Sequence, residues 1–438
     1  MRPVCFLTHT GNPGSVRRYL NTSAELIARG IPIGFIDVDG GGTAVLNQEV
    51  ARAAVERCWL EEAFVSAGTP SGASRPIVPE LPGSDRPLFR PAVGSLNFDS
   101  TFGFSDTLAG LGFDGSPLFA RLLAGHAETF LEYLSVAREV LGRVRPGCIV
   151  FDLCYTYGVA ALIEAAREAG IPTVLMQHAA GVNAFYSCLP DMADRYVAYN
   201  RYNIECLARM GVPPERIWLT GAPEGAPTAR GTAERAEVLR QLGLPERRKI
   251  VLVALKPARE DFSGALRQWN SALLDAVEEV LLQDGRFFVV VRRHPSDAHH
   301  PSGAALPMSA ETIARFSENL RITDAEDPLE PWLHAADAVI TLRSNTLVEA
   351  VESGVQVFLV DHRDTDGWPD WERIPAFISV PPAQTREYLR LLCQDPPAEP
   401  RISPDLRRRF IEQFGLNRRS DSAARLAAEI AHVIAVGL

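Results

Sequence analysis

The sequence predicts an α/β protein built from two doubly wound, Rossmann-like parallel-sheet domains that face a cleft. Three observations predict it. Short runs of Val, Ile, Leu and Phe alternate with helix-period segments twice along the chain, as in KIVLVA, FFVVVR, AVIT and VQVFLV of the later half. Such near-continuous apolar runs are strands buried on both faces of a parallel sheet. Between the two series stands EGAPTARGTAERAEVLRQLGLPERR, a polar, Pro-interrupted stretch that marks a linker or a helix leading into a new domain. Finally, 438 residues are too many for one core and fit two domains of roughly 200 residues each.

In chain order, PVCFLTHTGNPGSVRRYLNTSAELIARGIPIGFIDVD reads as a strand, a glycine-containing loop, a helix from near Ser15, a Gly30 cap and a second parallel strand, a right-handed βαβ start. Residues 68–115 are rich in Pro, Gly and Ser with scattered aromatics. A loop of that length is functional or mobile, and we read it as an irregular insertion. Helical periodicity returns in SPLFARLLAGHAETFLEYLSVAREVLGRVRP, and CIVFDLCYTYGVAALIEAAREAGIPTVLMQHAAG gives strand, helix, strand. ADRYVAYNRYNIECLARMGVPPERIWLTGAP repeats the alternation with shorter elements. The expected domains are therefore 1–222, a linker at 223–246, 247–415, and a C-terminal helix at 416–438.

Composition narrows the function classes. A net charge of -10 argues against a general nucleic-acid binder, which needs a basic surface to neutralise phosphate. Any anion must then be met by a local cluster. The seven cysteines, at 5, 58, 148, 154, 188, 206 and 393, form no CxxC pair and no short metal spacing, which fits reduced thiols in the cytoplasm. With no signal-type start and no run of about 18 apolar residues, a soluble or at most peripheral chain is expected.

That local cluster is legible in VVVRRHPSD, Val289 to Asp297, where a buried strand ends in Arg292, Arg293 and His294 and Pro295 forbids its continuation. Ligands of open parallel sheets gather at the carboxyl ends of strands, where helix N-termini expose unpaired N–H groups. The second half places at such ends Lys256; Arg292, Arg293 and His294; Arg343, Ser344, Asn345 and Thr346; and Asp361, His362 and Arg363. Three of the four tips are cationic, the footprint of a phosphate or diphosphate site. Simpler roles stand beside this one: a solvated loop for Lys256, an imidazole folded onto its strand end for His294, and N-capping by Ser344, Asn345 and Thr346. Glu349, on the following helix, is placed either to accept from a ribose hydroxyl pair or to complete a capping box.

The HP dipeptide followed by ADAVITLRSNTLVEAVESGVQVFLVD resembles the nucleotide-binding half of GT-B glycosyltransferases, above all bacterial surface-polysaccharide transferases of the sialyl, Kdo and CDP-glycerol type. The resemblance implies that His294 and Pro295, with Ser344 and Thr346, contact donor phosphates and that Glu349 points to the nucleotide. Upstream, GIPTVLMQHAAG and GVPPERIWLTGAP resemble the end of a GT-B first domain, with Ala179 in place of the usual glycine after His178. UDP-N-acetylglucosamine 2-epimerases share this plan, including HP after a strand and a serine-containing turn before an EA helix.

The expected activity is therefore transfer of a sugar from a nucleotide-activated donor to an acceptor hydroxyl. Transfer is expected to be inverting and metal-independent, with no bound cofactor and with cations and helix dipoles meeting the leaving group. An inverting transfer needs a base from the first domain. Candidates are His9, Asp37, Asp39, Asp152 and His178, of which Asp152 and His178 are preferred. Asp152 points into the cleft or caps the helix after it. His178 titrates near neutrality or is bonded to its own loop. In the loop THTGNPGS, residues Thr10, Gly11, Asn12 and Gly14 are expected to contact acceptor or donor sugar, since glycine allows close backbone approach. The loop lacks a dinucleotide fingerprint. The acceptor class is a glycan, a lipid-linked molecule or a protein, with the aromatic stretch 88–113 as a clamp. An epimerase-like activity and a catalytically inactive GT-B partner protein are the alternatives. Nothing in the sequence speaks to oligomeric state.

Overall fold

The computed structural model describes residues 2–8, 13–37, 117–152, 157–177, 192–224, 232–256, 264–294, 308–323, 327–360, 371–394 and 403–436. The irregular insertion at 68–115 therefore lies outside the described residues. The chain divides into two compact units. One comprises Met1–Tyr199, Asn203–Gly225 and Arg418–Leu438, the other Asn200–Tyr202 and Ala226–Asn417.

In the first unit, β1 (Val4–Thr8), α1 (Pro13–Ala28) and β2 (Ile33–Asp37) form the expected βαβ start. The helix opens at Pro13, a position where the missing N–H costs no hydrogen bond. Gly30, at φ 73°, closes it by donating to the Ile27 carbonyl at 2.8 Å. The helix α2 (Pro117–Val144), β3 (Cys148–Phe151), α3 (Tyr157–Glu168), β4 (Thr173–Met176), β5 (Arg195–Ala198), α4 (Arg201–Arg209) and β6 (Ile217–Leu219) follow. All pairings are parallel, in the order β2-β1-β3-β4-β5-β6. Leu7, Ile36, Ile149, Phe151 and Leu175 of the strands meet Leu162 and Ala166 of α3 and Ala137 and Leu141 of α2 in one core. Each fully buried Leu, Ile or Phe contributes about 1.5–3 kcal/mol of transfer free energy.

The second unit opens with α5 (Thr232–Gln241), which lies within the stretch read from sequence as a linker and packs on a later helix. It is followed by β7 (Lys249–Ala254), α6 (Gly264–Val280), β8 (Phe287–Arg292), α7 (Ala310–Arg315), β9 (Leu320–Thr323), α8 (Leu329–Ala335), β10 (Ala338–Thr341), α9 (Asn345–Ser353), β11 (Gln356–Val360), β12 (Ile378–Val380), α10 (Thr385–Leu392) and α11 (Pro404–Phe414). Arg235 of α5 pairs with Asp337 at 2.7 Å, and the same carboxylate oxygen accepts the Ile250 N–H at 2.8 Å, so a polar helix with no apolar stripe is tied to the start of β7. The sheet is parallel in the order β12-β11-β10-β7-β8-β9. After the second unit the chain returns to the first as α12 (Ser422–Val436), which packs against α1.

Both sheets reverse their strand order next to their first strand, between β1 and β3 in one and between β7 and β10 in the other. In open parallel sheets the crevice at the carboxyl ends of the strands, where the order reverses, is where ligands bind.

Candidate functional site

In the second unit the register fixes which residues meet at that crevice. Thr341, Ala254 and Arg292 are level across β10, β7 and β8, so two positions beyond them stand Arg343, Lys256 and His294. The ladder runs one residue further than the strands, with Leu255 donating to the Arg292 carbonyl at 3.1 Å and Arg293 to that of Thr323 at 3.2 Å. Of the four expected tips, the three after β7, β8 and β10 thus lie side by side. Asp361, His362 and Arg363 follow β11, the next strand, and with Pro295 lie outside the described residues.

The three tips are not equivalent. Arg292 is 7% exposed and donates to the Asp327 carbonyl, so its guanidinium serves the segment before α8. Arg293, His294 and Lys256 are half-buried. Lys256 is held through its backbone: the Asn270 amide of α6 accepts its N–H at 3.1 Å and donates to its carbonyl at 2.9 Å. Arg343, also half-buried, lies over the indole of Trp371, 5.8 Å from its centroid.

Ser344 is the N-cap residue of α9, in extended conformation, yet its side chain accepts none of the helix's first amides. Its hydroxyl instead pairs with that of Thr341 at 3.1 Å. The expected side-chain capping by Ser344 is thus not formed; its hydroxyl is turned toward the end of β10 instead. Asn345 and Thr346 occupy the first two helical positions. Leu347 holds the third, where a capping box needs its acid, so Glu349 lies too far along to complete one. The other end of α9 is closed: Gly354 at φ 77° ends it, and Arg407 donates to the carbonyls of Val351, at 2.7 Å, and of Glu352. A cation on the last carbonyls compensates the negative pole of the helix.

In the first unit, Asp152 follows β3 directly at the reversal point and is 1% exposed. Its Oδ1 accepts from the Tyr19 hydroxyl at 2.9 Å. Burial, and then the Asp152 carboxylate, hold the Tyr19 phenol well above its ordinary range. Next to Tyr19, Arg18 pairs with Glu224 at 2.7 Å and donates to the Gln177 carbonyl at 2.7 Å. That carbonyl also accepts from the Tyr199 hydroxyl at 2.7 Å. Burial opposes the Arg18 charge, but Tyr199, Glu224 and Asp152 outweigh it and raise its pKa. Asn21 donates to the Pro223 carbonyl at 2.7 Å. Three side chains of α1 thus tie the ends of β3, β4 and the segment after β6 together. His178, next after Gln177, lies outside the described residues, as do His9, Thr10, Gly11, Asn12 and Asp39. Gly14 falls inside the first turn of α1 rather than in the loop before it, and Asp37 ends β2.

Arg18, Tyr19, Asn270 and Trp371 were not singled out in the sequence. The one trace was a charged residue, Arg18, at the head of the inward row Arg18, Thr22, Leu26. Among the described residues no group of three or more His, Cys, Asp and Glu stands together to hold a metal ion, and no helix is long and apolar enough to cross a membrane.

Neither a protein-family model nor a curated protein sequence matches this chain. Solved structures do. The S. aureus MnaA–UDP co-structure superposes with a TM-score of 0.59 at 11% identity, over 100% of this chain and 98% of that one. A UDP-GlcNAc 2-epimerase from Neisseria meningitidis bound to UDP-GlcNAc gives 0.58 at 12% identity, over 99% and 100%. The chain has the GT-B fold. A glycosyltransferase from Rickettsia africae ESF-5 gives 0.53 at 12% identity, over 98% of both chains. In GT-B terms, the first unit carries the buried carboxylate and the second the row of cations.

Proposed function

We propose that this chain is a nucleotide-sugar-dependent glycosyltransferase of GT-B fold. One observation carries the proposal: Lys256, Arg343 and His294 each follow by two residues the paired strand ends Ala254, Thr341 and Arg292, on three adjacent strands at the reversal point of the second sheet. Beside them lies the N-terminus of α9, whose amides Ser344 does not cap. A diphosphate leaving group there would meet side-chain cations and the positive pole of a helix together. Structural neighbours bound to UDP and UDP-GlcNAc support a nucleotide-sugar donor.

In this reading Lys256, Arg293, His294 and Arg343 take the phosphates, with Ser344, Asn345 and Thr346 at the helix start and Glu349 toward the ribose. Arg292 supports the strand end. Transfer is inverting and metal-independent, the leaving-group charge being met by the protein. Of the two preferred bases, the burial of Asp152 against Tyr19 favours His178 for taking the acceptor proton, with Asp152 ordering the first-unit crevice. The loop Thr10, Gly11, Asn12 contacts the sugar or the acceptor, which is a glycan, a lipid-linked molecule or a protein.

A thermal-shift panel of UDP, CDP, GDP, TDP and CMP tests the donor site, because a ligand that binds only the folded state raises its stability. Stabilisation by one nucleotide, lost in both Arg293→Ala and His294→Ala, is expected. A shift that survives both substitutions removes these residues from the site, and no shift with any nucleotide removes the donor reading.

A second reading, sugar-nucleotide epimerisation, draws support from the TM-score of 0.58 to the Neisseria epimerase against 0.53 to the Rickettsia transferase. Incubation with UDP-GlcNAc and no acceptor separates the two. A changed sugar configuration selects epimerisation; acceptor-dependent release of UDP selects transfer.

A further inference from the structure

We propose that Trp371 is a positioning residue that holds the Arg343 guanidinium at the donor phosphates; this rests on the reading of Arg343 as a phosphate ligand given above. Trp371 is 0% exposed and is the largest fully buried side chain among the described residues. It opens a short 3-10 turn, Trp371–Arg373, that precedes β12. Arg343 follows Thr341, the paired end of β10, by two residues, as Lys256 follows Ala254 on β7, and its guanidinium carbon lies 5.8 Å from the centre of the indole. Two consequences follow from the chemistry of that pair.

An arginine side chain carries about 2 kcal/mol of rotamer entropy, which an anion must overcome if it finds the arm swinging. A buried indole attracts a guanidinium through its ring face, and being sealed in the core it has no alternative place to go. The ring therefore restrains the arm before any ligand arrives, lowering the cost of binding. The ring attracts the charge of the guanidinium, whose planar fork of N–H donors matches phosphate oxygens. Lysine could not substitute, having neither plane nor fork.

Isothermal titration of UDP, CDP, GDP, TDP and CMP into the whole chain and its variants tests this. Arg343→Met and Trp371→Leu are each expected to weaken the best nucleotide about tenfold or more. The double variant is expected to be no weaker than Arg343→Met alone, since Trp371 acts only through Arg343. Trp371→Phe, which keeps an aromatic face in the core, is expected to fall between the wild type and Trp371→Leu, and decides the matter if the leucine variant does not fold. Multiplying losses in the double variant, or full affinity in Trp371→Phe and Trp371→Leu, would overturn the proposal. If Arg343→Met leaves every nucleotide's affinity unchanged, the phosphate role of Arg343 fails and the positioning role falls with it; a loss in Arg343→Met without one in the Trp371 variants sinks only the positioning.

Discussion

The hydroxyl of Tyr19 lies 2.9 Å from Oδ1 of Asp152, and the two residues, 133 positions apart, are each 1% exposed. Tyr19→Phe removes this donor from a carboxylate held away from water. A loss of roughly 1–3 kcal/mol is expected, read from the urea midpoint at unchanged slope. An unchanged midpoint would show that the bond adds nothing to stability.

Arg18 bonds in two directions at once, to Glu224 and to the Gln177 carbonyl. Arg18→Met leaves Glu224, itself largely buried, without its closest cation, and removing one partner of a buried pair costs about 3–5 kcal/mol. Arg18→Lys is expected to recover little, because a point charge cannot serve both acceptors in the geometry of a fork. Full recovery by lysine, measured in the same unfolding assay, would show that charge alone is required.

Alkaline pH is expected to unfold the chain cooperatively. Burial first, and then Asp152, raises Tyr19 well above the usual phenol value, and burial pushes the Cys5 thiol up to about 12. Groups whose folded pKa is raised contribute stability that is complete below their unfolded values, about 8.5 for a thiol and 10 for a phenol. Above those values the unfolded chain loses the proton while the native one keeps it. Stability therefore falls with rising pH, by about 1.4 kcal/mol per pH unit for each such group. Urea midpoints taken across the alkaline range, with and without Tyr19→Phe, should show a shallower decline in the variant. On the acid side the sign reverses for Asp284, held below its usual value mainly by its hydrogen bond to Arg286: its contribution is present above the unfolded value and fades as pH falls through the folded one.

Asn270 grips both backbone groups of Lys256. Asn270→Asp keeps the acceptor but can no longer donate to the carbonyl, and Asn270→Ala loses both bonds. Losses of roughly 1–3 kcal/mol are expected for alanine, with a weaker nucleotide-induced thermal shift in both variants. Unchanged nucleotide binding in Asn270→Ala would detach this clamp from the donor site.

Elements whose composition alone demands burial could be read from the sequence. FFVVVR forms β8, buried at all six positions, and IVLVA fills the centre of the second sheet. The cationic tips were legible too, since strand ends and their polar followers are adjacent in the chain. Strand order was not: β7 between β8 and β10 is a matter of crossovers, and it is this order that sets Lys256 beside Arg343. Nor did the sequence decide between a linker and a packed helix for α5, because the helix is mostly polar and is fixed by its ion pair to Asp337 and by the buried Leu239 rather than by a broad apolar face. Tyr19 with Asp152, and Trp371 with Arg343, leave no local pattern, as each pair is joined only by the folded chain.

The second unit interrupts the first, which resumes only at Arg418. Arg29 donates to the Ala424 carbonyl and Arg425 to that of Leu219, so the first unit gains its closing helix only after about 190 further residues have been synthesised. Because domains fold as units while the chain emerges from the ribosome, the cation-bearing lobe can finish folding while the other still waits with the α12-facing side of α1 uncovered. Shortening the chain at its far end would therefore damage the lobe that begins it and spare the one beside the cut.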